Sequence, residues 1–340
     1  MRKIKVLVVD DSVMFADLMA KGISYDPALE VVGIASNPFE ARDMILKYRP
    51  DVMTLDIEMP KMDGVEFLQR LMPQYPIPVV MVSSLSDKVF DSLNAGAVDF
   101  ISKPVNMTKD EILNYLKRDL CTKIKIASTV NVSQMKRVTP KSISSKSIDN
   151  KNLVVALGAS TGGTEALCDV IMGFRNDIPG TIVTQHMPAG FTKMYADRLN
   201  NQCSVAVKEA ETGDILRPGL VLVAPGDKHL RLVKNGDHYA VECKVGPKVS
   251  GHCPSVDAMF SSVAKVAGNH AVAALLTGMG KDGADGLLEI RKAGGRTIGQ
   301  DEESCVVYGM PKAAYDIGAV EYQLPLHSIA HKIYSILGDM

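Results

Sequence analysis

No apolar run in this chain of 340 residues approaches the roughly 18 that a membrane-spanning helix needs. The N-terminus, Met1-Arg2-Lys3-Ile4-Lys5-Val6-Leu7-Val8-Val9-Asp10, is basic at first but then offers only four apolar residues before its carboxylates. That is too little for a secretory leader. Six cysteines, at 121, 168, 203, 243, 253 and 305, include no C-x-x-C pair, so neither a zinc knuckle nor a dithiol motif is expected. A cytoplasmic protein with free thiols, packed as small apolar groups, is the reading these absences favour. An excess of positive charge is missing as well. Residues 1–120 carry 14 basic and 18 acidic residues, and residues 151–340 carry 18 and 20, so both are mildly acidic, net −4 and −2. A general grip on nucleic acid is thereby disfavoured.

What is present reads as two globular parts. Hydrophobic residues at 46% and charged residues at 23% are near globular averages, and the length suits two domains of roughly 150 residues. Between them, residues 121–150 carry six basic residues and one acidic residue, net +5. The run ASTVNVSQMKRVTPKSISSKSIDN over 127–150 has six serines, two threonines and no aromatic residue, the composition of a linker. A continuing helix fits 111–126 better than anything after Ser128.

Short Val/Ile/Leu runs over 4–9, 31–35, 52–55, 79–82 and 98–101 predict strands. Amphipathic helical stretches over 14–25, 39–48, 65–71 and 89–94 separate them. Continuous rather than alternating apolar runs suit strands covered on both faces, hence a parallel sheet flanked by helices. The rhythm returns with strands expected over 152–157, 180–184, 219–224, 271–277 and 296–299 and helices over 163–172 and 254–267. Residues 229–245, with Lys234-Asn235-Gly236-Asp237, read as an inserted hairpin. The expected class is α/β, with two doubly wound parallel-sheet domains over 1–120 and 151–340 and a linker over 121–150.

Ligands of open α/β sheets sit beyond the carboxyl ends of the strands. In the first part those ends bring Asp10-Asp11, Asp56, Ser83 and Lys103-Pro104. Carboxylate oxygens suit Mg²⁺, and with metal and lysine neutralising a phosphoryl group one carboxylate can attack phosphorus. Asp56 is the natural attacker. Asp10 and Asp11 are then metal ligands beside it, Glu58 offers its backbone carbonyl, and Ser83 and Lys103 hold the phosphoryl oxygens. Taken singly, Asp-Asp-Ser after a strand reads as a helix cap, and Asp56 before Met59-Pro60-Lys61-Met62-Asp63-Gly64 as a turn. Together and in this order they resemble the flavodoxin-like receiver domain of two-component response regulators over residues 1–120. The resemblance implies phosphorylation at Asp56, a cis bond before Pro104, and a switch role for Phe100, whose ring swings inward when the Ser83 hydroxyl moves toward the phosphate.

In the second part the strand over 152–157 runs into Gly158-Ala159-Ser160-Thr161-Gly162-Gly163. This G-x-S-x-G turn exposes Ser160 at the head of a helix whose free N–H groups favour negative charge. A dinucleotide cradle is the rival, but G-x-G-x-x-G fails at Ser160. The next strand ends in Gln185-His186-Met187-Pro188, which makes His186 the candidate base. His229, His252 and His270 compete with it. Leu275–Gly286 offers Asp282 and Asp285 as the third group, and Asp282 is nearer the strand end. Cys253, adjacent to His252 on extended backbone, faces the other way and reads as packing.

These segments, with His252-Cys253-Pro254-Ser255-Val256-Asp257 and QDEESCVVYGMPK over 300–312, resemble chemotaxis protein-glutamate methylesterases, in which a Rossmann-like three-layer catalytic domain with a hairpin insertion follows a receiver. That resemblance implies a triad of Ser160, His186 and Asp282, a backbone oxyanion donor at Met279, and Thr161 and His252 near the pocket. Cys253 stands where a basic residue is common. It further implies demethylation of glutamate γ-methyl esters and deamidation of glutamines on methyl-accepting chemotaxis receptors. A chemotaxis histidine kinase is the expected phosphodonor, with Mg²⁺ for the receiver and no cofactor for ester hydrolysis. The protein is expected to be a cytoplasmic monomer without nucleic-acid partners or membrane insertion.

Overall fold

The computed structural model describes residues 2–130, 132 and 152–340, and the chain divides into two compact units, Met1–Lys136 and Arg137–Met340. In the first, strands β1 (Ile4–Val9), β2 (Leu29–Ala35), β3 (Val52–Asp56), β4 (Val79–Ser83) and β5 (Asp99–Ser102) form one parallel sheet in the order β2-β1-β3-β4-β5. Helices α1 (Val13–Ser24), α2 (Pro38–Tyr48), α3 (Gly64–Leu71), α4 (Lys88–Asn94) and α5 (Lys109–Tyr115) alternate with them. Val6 to Val9 are fully buried, as strands covered on both faces must be. The order reverses at β1, so a crevice opens beyond the carboxyl ends of β1 and β3.

The expected linker start is corrected. The helix runs on from α5 through a π turn (Leu116–Leu120) into α6 (Cys121–Ala127). Cys121, Ile124 and Ala127 are buried, a spacing that keeps one apolar face on the core. The positive charge that suggested a boundary at 121 is partly spent on this unit, because Lys123 pairs with Asp99 at 2.8 Å and Lys125 with Asp26 at 2.7 Å. The remainder of the expected linker, apart from residues 128–130 and 132, lies outside the described residues.

The second unit is built on β6 (Val154–Ala159), β7 (Thr181–Gln185), β8 (Ala206–Glu209), β9 (Leu220–Val223), β12 (Ala271–Leu275), β13 (Arg296–Gln300) and β14 (Tyr322–Leu324). All neighbours run parallel, in the order β14-β13-β12-β6-β7-β9-β8. Strands β10 (His229–Asn235) and β11 (His238–Lys244) make the separate antiparallel hairpin, turning at Gly236-Asp237. The helices are α7 (Gly163–Met172), α8 (Phe191–Gln202), α9 (Val256–Val266), α10 (Ala284–Lys292), α11 (Met310–Asp316) and α12 (Leu326–Asp339). Small side chains in β12, Ala271, Ala273 and Ala274, let helices approach the sheet, and Phe260, Val263, Leu287 and Ile290 are buried over it. Here the order reverses at β6, between β12 and β7, so the ends of these three strands define the second crevice.

Candidate active site and phosphoacceptor pocket

Beyond β6 the chain makes the turn that carries Ser160 into α7. Ser160 N–H donates to the Thr277 carbonyl (3.0 Å) and Gly163 N–H to the Ser160 carbonyl (2.7 Å). Gly162 has φ +75°, and a Cβ there would lie 2.6 Å from the Val306 side chain. Only glycine fits both conditions. Gly278 is constrained by space alone, since its Cβ would come within 2.7 Å of Ser160 Cβ. The chain leaving β12 can therefore lie directly against the serine.

His186 follows β7, its N–H donating to the Ala159 carbonyl at 3.3 Å. Its Nδ1 is 3.0 Å from Ser160 Oγ and its Nε2 is 2.7 Å from Asp282 Oδ2. Ser160 and His186 are half-buried, and Asp282 is buried. Three more donors converge on that carboxylate: Ser255 Oγ at 2.8 Å, Val256 N–H at 2.8 Å and Asp257 N–H at 3.0 Å. The last two belong to the first turn of α9, whose unpaired amides and dipole favour a negative charge. Burial alone would raise the Asp282 pKa, but the His186 hydrogen bond and charge and the α9 amides outweigh it and hold it below the ordinary carboxylate range. An acceptor that stays ionised keeps the imidazole oriented.

The other expected residues fall as follows. Met279 is half exposed next to Gly278, and among the described residues no backbone carbonyl accepts from its N–H. The segment before it is fixed: Thr277 N–H donates to Gln300 Oε1 (2.8 Å) and Thr277 Oγ1 to the Thr161 carbonyl (3.0 Å). Thr161 itself is buried. The His252 ring stacks on His186, centroids 3.7 Å apart and planes within 9°. His229 is buried with Nε2 on the Pro247 carbonyl at 2.9 Å, a structural contact. Asp285 is exposed in the first turn of α10, so Asp282 is the carboxylate that meets His186. The sequence reading missed Ser255, because starting the helix at 254 buried its cap role. Ser255 Oγ also accepts from Ala258 N–H at 3.2 Å, and a serine before an apolar helical run was the available signal.

In the first unit, ligand oxygens of Asp10, Asp11 and Asp56 lie within 4.8 Å of one another. Lys103 Nζ is 2.7 Å from Asp56 Oδ2 and 3.0 Å from Asp10 Oδ2. Asp10 Oδ2 is buried with no directed hydrogen bond, so the lysine contact is an ion pair and the oxygen keeps a lone pair for a cation. Three carboxylate oxygens at this spacing fit a hard, oxygen-seeking ion such as Mg²⁺. Glu58 N–H donates to Asp56 Oδ1 at 3.3 Å, and the buried Ser83 hydroxyl donates to the Ser84 carbonyl at 2.7 Å. Burial pushes Asp56 up to about 6, with the Asp10 charge adding to it against the pull of Lys103. Phe100 is buried. The expected cis bond before Pro104 is corrected: among the described residues the cis peptide is Cys253–Pro254, and Lys103 reaches both carboxylates from a trans bond.

A parallel α/β unit presenting hydroxyl, imidazole and carboxylate in series has the layout of a serine hydrolase, and it follows a unit with the acid pocket of a receiver. Comparison with known proteins is specific. The response regulator receiver domain matches residues 6–117 and the CheB methylesterase matches residues 155–333. The chain belongs to the CheB methylesterase family. A protein-glutamate methylesterase/protein-glutamine glutaminase of Syntrophomonas wolfei is 55% identical over 340 residues, covering 100% of this chain and 99% of that protein. One of Syntrophotalea carbinolica is 51% identical over 352 residues, covering 99% of each. The crystal structure of the Thermotoga maritima CheB methylesterase catalytic domain is similar with a TM-score of 0.53 and 38% identity, over 54% of this chain and 98% of that one.

Proposed function

We propose that the protein is a phosphorylation-activated hydrolase of the cytoplasm that demethylates glutamate γ-methyl esters, and deamidates glutamines, on methyl-accepting chemotaxis receptors. The reading is supported by the relatives' names and is carried by one observation, the unbroken series from Ser160 Oγ through His186 to Asp282. Ser160 Oγ attacks the side-chain carbonyl carbon while His186 Nδ1 takes its proton. Nε2–H keeps donating to Asp282, whose carboxylate stabilises the imidazolium. The Met279 N–H receives the oxyanion, a donor worth ~3–4 kcal/mol. His186 then returns the proton to methoxide or to the amide nitrogen, and methanol or ammonia leaves. Water activated by the same nitrogen cleaves the acyl-enzyme, which yields glutamate and restores Ser160.

In the receiver, Asp56 takes a phosphoryl group from a chemotaxis histidine kinase. Asp10, Asp11, Asp56 and the Glu58 carbonyl would hold Mg²⁺, which when bound neutralises phosphoryl charge. Ser83 and Lys103 receive phosphoryl oxygens. The receiver restrains the esterase until the phosphoryl group, which carries a charge of about −2 where the ionised Asp56 carboxylate carried −1, shifts the balance. A tenfold activation needs only ~1.4 kcal/mol of differential stability. The test is methanol release from methylated receptor with and without a small phosphodonor. Release that rises with phosphodonor is expected, and no release under either condition would overturn the reading.

A further inference from the structure

We propose that Gln185, the last residue of β7, is a positioning residue that locks the backbone of the nucleophile to that of the base; this rests on the hydrolysis proposed above. Gln185 is 4% exposed and pairs in register with Ala159 of β6, so it is the strand-end neighbour of the residue before Ser160 and the residue before His186. Its Nε2 donates to the Ser160 carbonyl at 2.8 Å and lies 3.5 Å from the His186 carbonyl, a long contact. The Ser160 carbonyl also accepts from Gly163 N–H at 2.7 Å. Two donors on one carbonyl fix the peptide plane after Ser160, and with it the direction in which Cα launches Oγ toward His186.

The other half of the carboxamide argues that the donor is the reason for its presence. Gln185 Oε1 is buried without a hydrogen-bond partner among the described residues, and a Cβ at Gly163 would come within 2.3 Å of it. An unpaired buried acceptor is unfavourable, and an apolar side chain of equal volume would fill the space without one. The amide is accommodated by a glycine opposite and leaves one oxygen unsatisfied, so its contribution is the N–H on Ser160. Nucleophile and base react through a narrow range of geometry, and a displacement of about 1 Å can cost 10²-fold in rate. The 3.0 Å between Ser160 Oγ and His186 Nδ1 is what the clamp would protect.

The test compares Gln185→Met, which fills the volume without a donor, and Gln185→Leu, a smaller apolar side chain that also lacks one. In the full-length chain, kcat is normalised to sites titrated with a fluorophosphonate, alongside KM, the rate of Ser160 phosphonylation and the thermal midpoint. We expect kcat and labelling rate to fall about 10- to 100-fold in both variants with KM within about twofold. Unchanged kcat per titrated site would overturn the proposal, as would failure of both variants to fold, which would make Gln185 a stability residue only. If the wild type labels at Ser160 but releases no methanol, the substrate reading fails, while the labelling rates still decide the role of Gln185.

Discussion

His186 turns Nε2, not Nδ1, toward Asp282, at 2.7 Å, and leaves Nδ1 facing Ser160 Oγ at 3.0 Å. An ionised Asp282 can only accept, so it selects the tautomer with hydrogen on Nε2 and a lone pair on Nδ1. Asp282→Asn breaks that selection, since its amide can donate to Nε2 and drive the hydrogen onto Nδ1. We expect methanol release to fall by roughly 10³- to 10⁴-fold with the fold intact. Circular dichroism checks the fold, and near-normal turnover would mean that His186 is oriented by something else.

Ser160→Ala should abolish methanol release, by at least ~10³-fold, and leave acceptance of phosphate at Asp56 unaltered. The two readouts come from units with separate chemistry, so each serves as the folding control for the other. Substantial turnover in this variant would relocate the nucleophile.

The sequence carried the chemistry further than the contacts that hold it. Strand ends were readable because continuous apolar runs stop where polar residues begin, which located Asp10, Asp56, Ser160 and His186. Helix α7 was legible to the residue, and Asp282 was separable from Asp285 by its distance from the strand end. The rest depended on tertiary partners. Ser255 and the α9 amides matter only because they meet Asp282, a residue 25 to 27 positions away. Short edge strands such as β8 and β14 have half-exposed, partly polar sequences with no run to detect. The charge step at Cys121 misled, because Lys123 and Lys125 find their acids in segments far back along the chain.

Metal removal should separate the two units' chemistry. Asp10, Asp11 and Asp56 gather oxygens fit for a divalent cation, and the mechanism proposed for Ser160 runs through proton transfer between side chains. A chelator should therefore eliminate activation by a small phosphodonor and leave basal methanol release within about twofold; Mg²⁺ should restore the response. Loss of basal release on chelation would show that ester hydrolysis itself depends on a metal.

Asp56→Asn should stabilise the metal-free receiver at neutral pH while removing its response to phosphodonor. Asp56 rises from an ordinary 3.8 to about 6, through burial first and then the Asp10 charge, against the pull of Lys103. The folded state thus binds this proton more tightly than the unfolded chain. The group's contribution to stability is complete below about pH 4, declines as pH rises toward about 6, and is lost above it. At pH 7.5 the ionised wild-type carboxylate costs up to about 3 kcal/mol. Asparagine never ionises, so the variant should gain about 1–3 kcal/mol there, reduced by its weaker bond to Lys103. The gain should fall to about a third of that near pH 4.5, where the folded wild type holds its proton but the unfolded chain has largely lost it, and vanish only below about pH 3.5. Urea unfolding of the first unit's transition at the two pH values measures the difference. Saturating Mg²⁺ at pH 7.5 should narrow it by neutralising the wild-type carboxylates. An Asn variant equally stabilised at both pH values would show that removal of charge is not the cause.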